Sequence, residues 1–165
     1  MSLSLTLLAV VLGADPGACP RELFRIERSK NANVVLYEVT PGEATVLDRD
    51  APVTASWLLL ASSGKREPLT FFEKLFAYGF EVQVSKVADS ATLTLKALKA
   101  RAIRVSRREQ CPVATTTVGG AEAVLQRVYV ATDEGGAVPG VKYVELIGVD
   151  VVTGEARTER VVPPR

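Results

Sequence analysis

From Leu23 onward, apolar and polar residues alternate in short runs broken by turn residues. Phe24 and Ile26 fall on one side of a strand and Arg25 and Glu27 on the other. Val34–Thr40 follows, rich in β-branched residues and carrying Tyr37. With Asn31-Ala32-Asn33 as the turn, the two runs predict a hairpin, because Asn tolerates left-handed backbone. Val53–Leu60, centred on Trp57, is a further strand ended by Ser62-Ser63-Gly64, and Phe80–Val87 alternates again. Ala91–Val105 fits a helix as well as two strands broken near Lys99. The alternation in Thr92-Leu93-Thr94-Leu95 and Ile103-Arg104-Val105 favours the strands. Gly119-Gly120 between Val113–Val118 and Ala121–Thr132 suits a primed two-residue turn, and Thr153-Gly154 joins the last two runs, Val141–Val151 and Glu155–Val162.

Pro68–Gly79 is the one segment with helical spacing. Thr70 and Glu73 stand at capping-box distance, Phe72, Leu75 and Phe76 share a face, and Gly79 terminates it. Regularly spaced strands with turn residues between them argue against a parallel sheet. The prediction is a mainly β protein: an antiparallel β-barrel or sandwich of about nine strands with one short α-helix.

Met1–Ala14 carries no charge, Leu5–Leu12 is almost wholly apolar, and small residues precede Asp15-Pro16. We read residues 1–14 as an export signal and 15–165 as a single β-rich domain, periplasmic or extracellular. The alternative is a buried first strand or helix. A spanning helix is ruled out, since that needs about 20 apolar residues.

Composition narrows the chemistry. The 165 residues include 20 basic and 19 acidic side chains and no histidine. Every Ser-His-Asp or Cys-His arrangement is thereby excluded, along with the commonest metal ligand. Cys19 and Cys111 cannot make a four-ligand cysteine or histidine zinc site. We expect no metal site and no cofactor. In an exported chain the two cysteines suit one disulfide; two unrelated free thiols are the other reading.

The stretch from Phe24 through Arg28 to Asn33 resembles the opening of a small bacterial family catalogued as domain of unknown function 4833. The likeness continues through Trp57, Leu69-Thr70, Ala77-Tyr78-Gly79-Phe80, Val118 to Glu122, and Tyr143 to Asp150 with Thr153-Gly154. The resemblance implies an exported or lipid-anchored protein and carries no activity, cofactor or catalytic residue.

Ser62-Ser63-Gly64-Lys65 matches the S-x-x-K string, but it follows a strand, contains glycine and has no partner motif. Gly64-Lys65 lacks the upstream glycine of a phosphate loop. Asp48 with Asp50, and Asp133 with Glu134, offer too few oxygens for calcium and read as solvated loop charge.

Two sets remain. Lys96, Lys99, Arg101, Arg104, Arg107 and Arg108 form a basic patch that could meet an anionic envelope surface. No aromatic is interleaved, so nucleic acid is not the expected partner. With Ile103 and Val105 inside, these residues are equally a solvated sheet face. The second set is Arg28, Lys30, Asn31, Asn33, Tyr37 and Trp57. Arg28 falls on the core side with Phe24 and Ile26, where a charge must be paired or line a polar cavity. With the turn amides and two amphipathic rings, the set could hold a small anionic or carbohydrate ligand. Alternatively Arg28 pairs structurally with Glu38 or Glu145. The expected function is a non-catalytic ligand-binding or structural domain. The alternatives are an envelope interaction module or a hydrolase working without histidine.

Overall fold

The computed structural model describes residues 19–40, 47–133 and 140–162; the expected export signal lies outside them. Eleven strands form one curled sheet: β1 Glu22–Arg28, β2 Asn31–Val39, β3 Val53–Leu59, β4 Lys65–Pro68, β5 Phe80–Val84, β6 Ser90–Leu95, β7 Ala102–Arg108, β8 Cys111–Val118, β9 Ala121–Asp133, β10 Gly140–Asp150 and β11 Ala156–Val161. No helix among the described residues is long and apolar enough to cross a membrane.

The sheet forks at β9. One edge of β9 pairs with β10 along most of its length. Its other edge pairs first with β8, through Ala121 to Val124, and then with β1, through Arg127 to Val130. Two wings grow from that edge, β1-β2-β3-β4 and β8-β7-β6-β5. They curl toward each other into a half-barrel, and Phe24, Ile26 and Tyr37 of one wing share a core with Leu93, Ile103 and Val105 of the other. Each of these side chains contributes about 1.5 to 3 kcal/mol by leaving water.

The mainly β expectation holds, with one correction: the β1–β9 pairing is parallel, so the sheet is mixed. Such a contact joins residues about a hundred positions apart, beyond the reach of local alternation. Two smaller corrections follow from turn and edge chemistry. The first hairpin turns at Ser29-Lys30 rather than Asn31–Asn33, with Lys30 left-handed at φ 61°, and Asn31 already belongs to β2. β4, the polar run Lys65-Arg66-Glu67-Pro68, has no apolar face to announce it.

The expected α-helix is a short π-helical segment, Glu73–Ala77. Its capping box is present: the Thr70 amide and hydroxyl donate to Glu73 Oε2 at 2.7 and 2.8 Å, and the Glu73 amide donates to Thr70 Oγ1 at 3.3 Å. The segment closes with the Tyr78 amide donating to the Glu73 carbonyl at 2.8 Å, a wider i to i+5 step. That step draws the chain close to itself. A Cβ on Gly79 would lie 1.7 Å from the Lys74 carbonyl oxygen, so only glycine fits there. Cys19 and Cys111 form a disulfide with Cα atoms 5.2 Å apart, tying the start of the described chain to β8.

Candidate functional site

The π segment carries the chain from the outer end of one wing, β4, to the outer end of the other, β5. A cleft of about 460 Å³ lies beside it. Val53, Thr54 and Ala55 of β3 form one wall, and Leu69, Lys74, Tyr78, Gly79, Phe80 and Lys96 complete it.

The β3 wall is the part of the strand that β4 leaves uncovered. β4 pairs with β3 only from Ser56 to Leu59 and ends at Pro68. No strand among the described residues continues along the outer edge of Val53–Ala55. The Thr40 amide bonds the Pro52 carbonyl at 2.9 Å, so the ladder between β2 and β3 engages Pro52 and Thr54. Antiparallel alternation then turns the N–H and C=O groups of Val53 and Ala55 away from β2. On that side the Ser56–Pro68 pairing sets the Ala55 carbonyl against the Leu69 amide, since proline has no N–H to give, and Val53 faces the cleft beyond it.

Tyr78 anchors the far side. Its ring meets Trp57 edge to face at 5.1 Å, and its carbonyl accepts the Tyr37 hydroxyl at 2.7 Å. Its own hydroxyl accepts from Arg28 Nη1 at 3.3 Å. Trp57 Nε1 donates to Glu73 Oε1 at 3.0 Å, so both oxygens of that carboxylate are engaged. Burial alone would raise the Glu73 pKa, but the bonds from Thr70 and Trp57 outweigh it and hold the group below its ordinary value. Tyr37 stacks on Phe24 at 4.5 Å and touches Phe80 at 5.6 Å. Burial, then the neighbouring Tyr78, pushes its phenol well above the ordinary range.

Three of the six ligand-set residues, Arg28, Tyr37 and Trp57, thus converge, but around Tyr78 and behind the cleft wall. Sequence spacing alone did not single out Tyr78; its place between a capping box and a strand start was the available signal. The other three stand elsewhere. Asn31 Oδ1 accepts the Asn33 amide at 2.9 Å, Asn33 Oδ1 accepts the Ala61 amide at 3.4 Å, and Lys30 lines a separate groove with Tyr129 and Tyr143. Arg28 pairs with neither acid considered for it. Glu38 is held by Arg66, and Glu145 accepts from Arg160 at 2.6 Å.

The basic set is dispersed. Lys96 lines the cleft, and Arg101 pairs with Glu159 at 2.6 Å. Arg108 donates to the Val151 carbonyl at 2.6 Å. Lys99, Arg104 and Arg107 are exposed, with Ile103 and Val105 buried between them as the alternation requires. Asp48 closes a turn by accepting the amides of Asp50 and Ala51, each at 2.8 Å. Glu134 and the Asp133 side chain lie outside what is described.

A larger groove, about 530 Å³, crosses β1, β9 and β10 on the opposite face. Its charges satisfy one another: Glu22 with Arg25 at 2.7 Å and Glu27 with Arg127 at 3.2 Å. The β3 cleft differs. Arg28, Lys74 and Lys96 form no ion pair among the described residues, and the nearby Glu73 is already committed. Among the described residues, no group of three or more Cys, Asp or Glu could hold a metal ion.

Fold and cleft together define a class: a disulfide-tied, half-barrel β domain with a recessed cleft beside β3. The family model for domain of unknown function DUF4833 matches residues 24–160, and the chain belongs to that family. No curated protein and no solved structure matches it.

Proposed function

We propose that this protein is an exported binding domain, without covalent catalysis, that takes a small anionic ligand in the β3 cleft. One observation carries the reading: Lys74 and Lys96 line the cleft, and Arg28 reaches the Tyr78 hydroxyl behind its wall, with no carboxylate paired to any of the three among the described residues. Elsewhere Arg25, Arg66, Arg101, Arg127, Arg157 and Arg160 are each matched by an acid. A concave site of a few hundred Å³ lined by Leu69, Phe80 and two lysines suits a small acid better than a neutral sugar. Export is supported by the disulfide, a bond that persists in oxidising compartments, and by the apolar stretch Leu5–Leu12.

Trp57 is the sole tryptophan and touches Tyr78, so its emission reports on the cleft wall. Titration with succinate and inorganic phosphate, against glucose as the neutral control, tests the reading. The expected result is a saturable change with the anions alone, weakening as salt rises to about 0.5 M and lost in Lys74→Met/Lys96→Met. No change with either anion, or an equal change with glucose, overturns it.

A further inference from the structure

We infer that the anion taken by this cleft is the headgroup of an anionic phospholipid in a membrane surface, with Phe71, Phe72 and Leu75 entering the bilayer beside it. The inference rests on the anion-binding reading above and deepens it. An apolar side of a helical turn ordinarily packs on the core. Here Phe71 is 72% exposed, Phe72 70% and Leu75 41%. The two rings meet edge to face at 5.8 Å, so they form one cluster rather than two scattered side chains. Apolar side chains grouped this way on a surface mark a contact, whereas single ones need no explanation.

The charges of the same segment say what the contact is. Residues 71–77 wind helically, and side chains three and four apart on such a turn are neighbours. Phe71 therefore shares a side with Lys74 and Leu75, and Phe72 with Leu75. Lys74 also lines the cleft, together with Lys96, and neither lysine is paired with a carboxylate among the described residues. Glu73, the one acid of the segment, is drawn away to Thr70 and Trp57. The segment thus shows solvent two rings and a cation and keeps its carboxylate back. Apolar side chains flanked by lysine suit a bilayer interface, where headgroup charge and acyl chains adjoin.

Other occupants use only part of this surface. A free phosphate would engage the lysines and leave the rings in water. A folded protein partner needs about 20 residues a side, far more than three side chains supply. A bilayer takes each ring singly, because every inserted side chain leaves water on its own account. The rings are also held ready. The Thr70–Glu73 box and the Tyr37–Tyr78 bond fix both ends of the segment, so insertion orders little.

Sedimentation of the whole protein with phosphatidylglycerol vesicles tests this, with phosphatidylcholine vesicles and inorganic phosphate as the comparisons. Binding to phosphatidylglycerol is expected to be about ten-fold tighter than to phosphatidylcholine and to weaken as salt rises to about 0.5 M. Phe71→Ser/Phe72→Ser should bind those vesicles about ten-fold more weakly and keep the Trp57 response to phosphate, since exposed rings neither hold the fold nor line the cleft. Phe71→Trp should emit further to the blue on phosphatidylglycerol vesicles and be quenched by brominated acyl chains more than wild type, which carries Trp57 alone.

The outcomes separate the two claims. A phosphate response without vesicle binding, or vesicle binding that Phe71→Ser/Phe72→Ser leaves intact, overturns the lipid and leaves the anion cleft standing. Vesicle binding unchanged in Lys74→Met/Lys96→Met takes the headgroup out of the cleft and overturns the inference as well. Binding of neither phosphate nor vesicles overturns both readings. Dimers that Phe71→Ser/Phe72→Ser abolishes, with no vesicle binding, give the rings to a second copy and overturn the lipid.

Discussion

The hydroxyl of Tyr37 donates a 2.7 Å hydrogen bond to the backbone carbonyl of Tyr78, linking β2 to the segment that joins the two wings, 41 positions further on. Tyr37 is wholly buried between Phe24 and Phe80, and Tyr78 is 4% exposed. The bond fixes where the π segment ends, and so where Gly79 and β5 begin. Through the ring of Tyr78 it also fixes Trp57 and the hydroxyl that receives Arg28. The cleft wall is thus set by a core tyrosine that is itself shut off from solvent.

Tyr37→Phe removes that donor and leaves the Tyr78 carbonyl buried. A lost bond of this kind costs about 1 to 3 kcal/mol, read as a lower urea midpoint with an unchanged slope. The variant also changes the alkaline limb. Burial holds the Tyr37 phenol protonated above its ordinary pKa of 10.0, so the folded state keeps a proton that the unfolded state releases. Its stabilising contribution is complete below about pH 10 and declines as pH rises beyond that. Wild type should lose stability faster than Tyr37→Phe above about pH 10; parallel curves would show that Tyr37 does not carry the effect.

Gly79→Ala tests the π segment itself. The added Cβ would stand 1.7 Å from the Lys74 carbonyl and 3.0 Å from Lys96 Cδ. Lysine can swing away, but a backbone oxygen inside the turn cannot. Relief requires unwinding the segment, so the expected loss is about 2 kcal/mol or more. Trp57 should lose its edge contact with Tyr78, seen as a shifted emission maximum. Unaltered stability and emission would show that this turn is not wound as described.

Which features could be read from the chain depends on how locally each is determined. Gly119-Gly120 marked its hairpin because both residues sit at positive φ, 59° and 83°, where glycine is unstrained. The Thr70–Glu73 box and the inward pair Ile103 and Val105 were equally local. Lys30 and Glu109-Gln110 also turn through positive φ, at 61°, 48° and 72°, yet nothing in those side chains signals it. For the same reason the first turn was placed too late. Arg28, Tyr37 and Trp57 each reach Tyr78, since a core-side arginine and two amphipathic rings need partners, while Lys30, Asn31 and Asn33 of the same expected set stand elsewhere. Their meeting point, Tyr78, and the cleft beyond it depend on the two wings closing. The cleft beside Val53 exists only because β4 ends at Pro68, a fact about pairing that alternation within β3 does not contain.

The β10–β11 turn holds an acid-sensitive clasp. Asp150 Oδ1 accepts the amides of Val152 and Thr153 at 2.7 and 2.9 Å, and Oδ2 accepts Arg157 Nε at 2.5 Å. These bonds, led by that from the Thr153 amide, lower its pKa from 3.8 to about 2. A depressed carboxylate stabilises the fold above its unfolded pKa and loses that contribution as pH falls through the folded value. Wild type should therefore lose stability between about pH 4 and pH 2, and Asp150→Asn should begin lower at neutral pH but decline less over that window. Identical acid limbs in thermal denaturation would exclude Asp150 as the titrating group.

The disulfide makes the largest single prediction. Cys19 and Cys111 are 92 positions apart, so their bond closes a loop spanning more than half the chain. In the chain-entropy account, a loop of that length restricts the unfolded ensemble by about 4 to 5 kcal/mol. Reduction should lower the urea midpoint accordingly, and Cys19→Ser/Cys111→Ser should match the reduced wild type and be indifferent to reductant. The mechanism lies in the unfolded state, so the double variant should keep the native near-ultraviolet signature of Trp57 and Tyr78 under conditions where it remains folded. Thiol titration of the unreduced, unfolded protein should find no reactive thiol. Two thiols there, or equal midpoints with and without reductant, would remove the bond from the account of stability and with it the principal structural support for export.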